Sequence, residues 1–114
     1  MPRRIAERSG YEAMWVLAMF DLPVGSLKAK RDYARFRKKL LTQGFYRLQF
    51  SVYGRHCASS DSAGRIARVV EAALPPNGQV RLLMVTERQF GKMQVYEGQK
   101  RVETEQPAQQ FVLF

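Results

Sequence analysis

Met14-Trp15-Val16-Leu17-Ala18-Met19-Phe20-Asp21-Leu22-Pro23 is the stretch whose reading decides the fold. Its first seven residues are apolar without a break, far short of the ~20 that a membrane-spanning helix needs. A run of that length, bounded by turn residues, suits a strand buried on both faces. It stops at a carboxylate, and Pro23 and Gly25 follow as turn residues. The expectation is therefore Asp21 at the C-terminal end of a central strand, facing a loop. An acid in that place serves either as a turn or helix-capping residue or as a ligand for a hard cation, and position alone leaves both readings open.

The composition bounds the rest. A chain of 114 residues with 46% hydrophobic content is one domain with a real core. Lys and Arg outnumber Asp and Glu by 19 to 10, a formal charge of +9. On so small a domain this points to a polyanionic partner, nucleic acid ahead of an anionic membrane surface. Residues 1–10 are basic but lead into the apolar run without a small-residue cleavage site, so they read as a flexible arm and not as a signal peptide. Cys57 is the single cysteine and cannot close an intrachain disulfide, which fits a reducing cytoplasm. It adjoins the single histidine, His56, but neighbours in sequence rarely face one another as a nucleophile and its base.

Working outward, Ser26 is a plausible N-cap for a helix over 27–41, with Gly44 just past its end. Ala29, Tyr33, Phe36 and Leu40 recur at helical spacing and form the face that packs on the sheet. Lys28, Arg31, Arg35, Lys38 and Lys39 occupy another face, with Lys30 and Arg37 at its margins and Asp32 as the lone acid. A helix of that length spans about 22 Å, room for roughly six phosphates of one strand. Lys28, Lys30, Arg31, Arg35, Lys38 and Lys39 are accordingly the candidate nucleic-acid-binding residues.

Tyr46, Leu48, Phe50 and Val52 alternate with Arg47, Gln49, Ser51 and Tyr53, a half-buried strand ended by Gly54, whose polar face offers Arg47 and Tyr53 to solvent or nucleic acid. Ser59-Ser60-Asp61-Ser62 caps a second helix carrying Ile66, Val69, Val70, Ala73 and Leu74, and Pro75-Pro76-Asn77-Gly78 stops it. Residues 80–86 read as a nearly continuous apolar strand and 93–97 as a short one. The order taken from these pieces is βαββαβ, a ferredoxin-like α+β sandwich. It would have a four-stranded antiparallel sheet, the first and third strands in its middle and both helices on one face. The expected boundaries are an arm over 1–12, the domain over 13–98 and a tail over 99–114. Because the middle strands are apolar at nearly every position, the second sheet face also needs cover, most economically from a second copy, so a homodimer is predicted. Phe111-Val112-Leu113-Phe114 reads as an added C-terminal edge strand.

Taken together, Phe20-Asp21-Leu22-Pro23, the basic helix, Gly44-Phe45-Tyr46-Arg47-Leu48-Gln49-Phe50-Ser51-Val52-Tyr53 and the residues Thr86-Glu87-Arg88-Gln89-Phe90 resemble a known family. This is the small CRISPR-associated proteins of spacer acquisition, the family numbered two (Cas-two), in the subgroup that accompanies Cas9-type systems. The resemblance covers about Met14 to Phe114; the N-terminal arm lies outside it. It implies a ferredoxin-like homodimer, a metal-dependent endonuclease acting on RNA or DNA, and a bridge between dimers of the CRISPR integrase, family one. Asp21 alone carries over as the catalytic and metal-binding acid. Phosphodiester hydrolysis with Mg²⁺ or Mn²⁺ generally needs two or more hard oxygen ligands, so one ion shared by the Asp21 residues of two subunits meets the requirement. Glu12 and Glu87 read as surface residues. A non-catalytic DNA-binding adaptor and a free-standing RNA-cleaving toxin of the same fold are the alternatives. An RNA-recognition module is excluded because no Lys/Arg-Gly-aromatic signature stands on the sheet.

Overall fold

A computed structural model describes residues 12–107. The N-terminal arm and the expected terminal strand therefore lie outside the described residues. In chain order the elements are β1 (Met14–Asp21), α1 (Leu27–Thr42), β2 (Tyr46–Gln49), β3 (Val52–Cys57), α2 (Ser60–Ala72) and β4 (Gln79–Thr86). They are followed by α3 (Glu87–Gly91), β5 (Val95–Glu97) and β6 (Lys100–Val102). The first six form the ferredoxin-like βαββαβ unit. Its sheet is antiparallel in the order β2-β3-β1-β4, and β5–β6 is a separate hairpin.

The helices start where short polar side chains satisfy free backbone donors. Ser26 Oγ accepts from the Ala29 N–H at 3.0 Å to open α1. Ser59 with Ser62, and Thr86 with Gln89, form reciprocal capping boxes for α2 and α3. Helix α1 closes on Gly44, whose φ of 87° suits a residue without a Cβ, and the Phe45 N–H returns to the Leu40 carbonyl.

Three expectations about the strands are corrected. Residues 46–53 are not one strand but the hairpin β2–β3, turning at Phe50-Ser51, and Gly54 lies inside β3 instead of ending it. The two-residue tip shifts the alternation by one and the register irregularity between Arg47 and Gln49 shifts it back, so the pattern runs through the turn unseen. The second central strand is β3, not the 80–86 segment, which is β4 on the sheet edge. There Leu83 and Met84 stay 47% and 48% exposed. Residues 93–97 contribute no strand to the main sheet.

Two clusters make the core, one on each side of β1. On the helix side Val16, Ala18 and Phe20 pack with Tyr53 and Cys57 of β3, Phe36 and Leu40 of α1, and Ala63 and Val70 of α2. On the other side Trp15 and Leu17 pack with Phe90 of α3 and the half-buried Tyr46, Leu48 and Val85. The Phe90 ring lies on Trp15 with centroids 4.0 Å apart. The chain thus covers part of its second sheet face itself, using a helix too short to show periodicity in the sequence.

Candidate nucleic-acid site at the end of the first strand

Asp21 is the last residue of β1 and is exposed. Strand alternation puts it on the face of Trp15, Leu17 and Met19, opposite the helices. Across the edge it pairs with Gln79. Behind it, Gly78 has φ of 92°, and a Cβ there would lie 2.8 Å from the Asp21 carbonyl oxygen and 2.7 Å from Leu22 Cδ2. Only glycine lets the α2–β4 turn come this close, so Gly78, which reads in the sequence simply as a helix stop, also sets the backbone of Asp21.

The chemistry of the donors is limited. Among the described residues no three His, Cys, Asp or Glu side chains stand together as a metal-binding group. A single chain presents one carboxylate at this strand end, and a divalent cation that prefers an oxygen-rich shell is not held by one ligand. The residues of one chain therefore do not by themselves make a metal centre.

The basic stripe lies elsewhere. Lys28, Lys30, Arg31, Arg35 and Lys38 are exposed on α1 and Lys39 is half-buried. Asp32 pairs with Lys28 at 3.0 Å and with Arg35 at 3.4 Å, its own side chain only 14% exposed. Lys30, Arg31 and Lys38 have no ion-pair partner among the described residues. Since α1 covers the opposite side of the sheet, the structure does not gather the stripe and the Asp21 carboxylate on one surface.

Arg37 and Tyr53 take roles the sequence did not disclose. Tyr53 is 1% exposed, and its hydroxyl accepts from Arg37 Nε at 2.7 Å. Tyr53 is thus a core residue and not a nucleic-acid contact, and its bond fixes the Arg37 guanidinium on the β2–β3 flank of α1. Arg47, cross-strand partner of Tyr53, stands exposed on the same side. His56 and Cys57 point to opposite faces of β3: the His56 Nε2 meets Glu87 Oε1 at 3.1 Å, while Cys57 is buried in the helix-side cluster. Burial pushes the Cys57 thiol up from its ordinary value, against a nucleophilic thiolate. Phe50, read from the sequence as part of a buried strand face, is instead the exposed tip of the hairpin.

A family model described as CRISPR associated protein Cas2 matches residues 14–93, a span that holds Asp21, α1, the β2–β3 hairpin and α3. The chain belongs to the Cas2 family. Proteins named CRISPR-associated endoribonuclease Cas2 align over most of its length. The one from Parvibaculum lavamentivorans is 50% identical over 101 residues, covering 89% of this chain and all of the relative. That from Flavobacterium psychrophilum is 41% identical over 104 residues, 91% of this chain and 90% of the relative. That from Lacticaseibacillus rhamnosus is 38% identical over 100 residues, 88% and 99% respectively. The Cas2 match ends before β5 and β6, so that hairpin lies beyond the part of the chain the family model covers.

Proposed function

We propose that this chain is a nucleic-acid phosphodiesterase of the CRISPR adaptation machinery in which Asp21 is the catalytic acid, and that it works as a homodimer. The observation that carries the reading is the place of Asp21: an exposed carboxylate at the end of a central strand, on the sheet face away from the helices. A second copy docked on that face, against Met19 and Leu83, would bring two Asp21 side chains toward one axis. Two carboxylates that close repel each other unless a cation stands between them, so dimerisation and metal binding would be coupled. Mg²⁺ or Mn²⁺ held by Asp21 of both subunits would polarise the phosphodiester and lower the pKa of bound water. The names of the relatives favour RNA as substrate.

A second reading is favoured by the separation of the α1 stripe from Asp21. In it the exposed cations Lys28, Lys30, Arg31, Arg35 and Lys38, with Lys39, hold DNA between subunits of the CRISPR integrase, family one, whether or not Asp21 cleaves. The two readings separate in one pair of variants. Asp21→Ala abolishes Mg²⁺-dependent cleavage of an RNA oligonucleotide and leaves duplex-DNA binding intact. Arg31→Glu with Lys38→Glu weakens duplex binding and flattens its salt dependence. Cleavage by Asp21→Ala at the wild-type rate would refute the catalytic assignment, and unchanged binding by the charge-reversed variant would refute the adaptor surface.

A further inference from the structure

Phe50 is 78% exposed, more than any other large apolar side chain among the described residues. It sits on a strained turn, because Ser51 takes a φ of 67°, a left-handed conformation that disfavours a non-glycine residue. The turn is held against β1 by a hydrogen bond from the Phe20 N–H to the Ser51 carbonyl at 3.0 Å. Phe50 and Asp21 are each one residue removed from that bonded pair, so the aromatic tip is fixed at the strand end that carries the carboxylate.

Exposed cations line the helix-side flank of the hairpin. Arg47 stands exposed three residues before Phe50, and Arg37 is anchored on the same flank by Tyr53. Lys30 precedes Arg37 by seven residues, which is within about 20° of the same direction and about 10 Å nearer the start of α1. That start lies at the Asp21 end, since the Tyr33 ring meets Phe20 with centroids 6.1 Å apart. An exposed ring on a hairpin flanked by cations favours a polyanion with flat apolar faces of its own.

We infer that Phe50 is a base-stacking residue: an unpaired base of RNA or DNA lies on its ring, with the adjoining backbone along Lys30 and Arg37. This deepens the proposed function, and it rests on that reading only in taking nucleic acid as the ligand. Stacking a base on an aromatic ring tolerates any sequence, so the contact sets position along the strand and not base identity.

The test is made on the full chain in EDTA, with a fluorescein-labelled single-stranded RNA 12-mer and its DNA counterpart as probes. Phe50→Ala weakens binding about 5- to 100-fold, the range that loss of one stacked base gives, while Phe50→Tyr stays within about twofold of wild type. In Phe50→Trp, the exposed indole is quenched when the oligonucleotide is added, which the buried Trp15 of the parent protein is not. Wild-type affinity in Phe50→Ala, or an unquenched indole at saturating oligonucleotide, overturns the assignment. So does a loss of dimer mass in Phe50→Ala with unchanged affinity, which would give the ring to a protein interface. Binding in EDTA is read without cleavage and the catalytic reading is read as Mg²⁺-dependent cleavage, so failure of the catalytic reading appears only in the cleavage assay and failure of the stacking reading only in this one.

Discussion

The two faces of the sheet are finished to different degrees. On the helix side, Val16, Ala18, Phe20, Tyr53 and Cys57 are closed over by α1 and α2, and the buried Tyr53 hydroxyl finds Arg37. On the other side the cover is one short helix. Leu83 stays half exposed, and the buried Trp15 Nε1 and Tyr46 Oη have no hydrogen-bond partner among the described residues. The first face is built for stability. The second keeps apolar surface and an acid, Asp21, within reach of another molecule. A domain this small cannot leave both faces loose, so the asymmetry concentrates folding energy on one side and leaves the other open to contact.

The largest loss is expected in the helix-side core. Phe36 is fully buried between α1 and the sheet, in edge-to-face contact with Phe20. Phe36→Ala should destabilise by about 3–5 kcal/mol, read as a lower urea midpoint, enough to unfold much of a marginal domain. Leu83→Ala on the open face should cost less than about 1 kcal/mol at a protein concentration low enough to keep the chain monomeric, because a side chain half exposed in one chain has little burial to lose there. Equal losses from the two substitutions would erase the distinction between the faces.

A smaller effect is expected at the hinge between the faces. Gly78→Ala forces a Cβ against the Asp21 carbonyl in a left-handed backbone. It should cost about 2 kcal/mol and, if Asp21 acts as proposed, lower RNA cleavage by more than the unfolded fraction accounts for, since the shift is delivered to the strand end that carries Asp21. Cleavage that merely tracks the folded fraction would show that the Asp21 backbone tolerates displacement.

How much of this was legible in the sequence follows from what each pattern encodes. The apolar run ending at Asp21, the amphipathic face of α1 and the serine caps are local signals, and each element stands where its signal put it. The β2–β3 turn was not legible, because Ser51 adopts a conformation usually flagged by Gly or Asn and the register irregularity between Arg47 and Gln49 keeps the alternation in phase across the tip. The edge position of β4 was hidden by its apolar composition. The Thr86-Gln89 spacing did carry a capping signal for α3, but five residues give no periodicity to confirm it. At the candidate site Asp21 was visible because it interrupts an apolar run. The support from Gly78, the bond between Arg37 and Tyr53, and the exposure of Phe50 all depend on contacts between distant segments.

Burial pushes the Tyr46 phenol up to about 12, and the Glu105 carboxylate adds in the same direction. A raised phenol stabilises the fold fully below its unfolded value near 10, and that contribution is lost as pH rises toward about 12. Tyr46→Phe removes an unpartnered buried hydroxyl, so at pH 7 its melting temperature should equal or slightly exceed that of wild type. Between pH 10 and 12 the variant should lose less stability than wild type. A marked loss at pH 7 would mean that the hydroxyl has a partner in solution.

The central claim is that one acid per chain becomes a catalytic site only when two chains meet. Mixing wild type with Asp21→Ala, after brief unfolding and refolding together, tests it directly by the rate of RNA cleavage. If each site needs Asp21 from both subunits, activity falls as the square of the wild-type fraction, to about a quarter in an equal mixture. A linear fall, to about half, would mean that each chain cleaves on its own and would contradict the account.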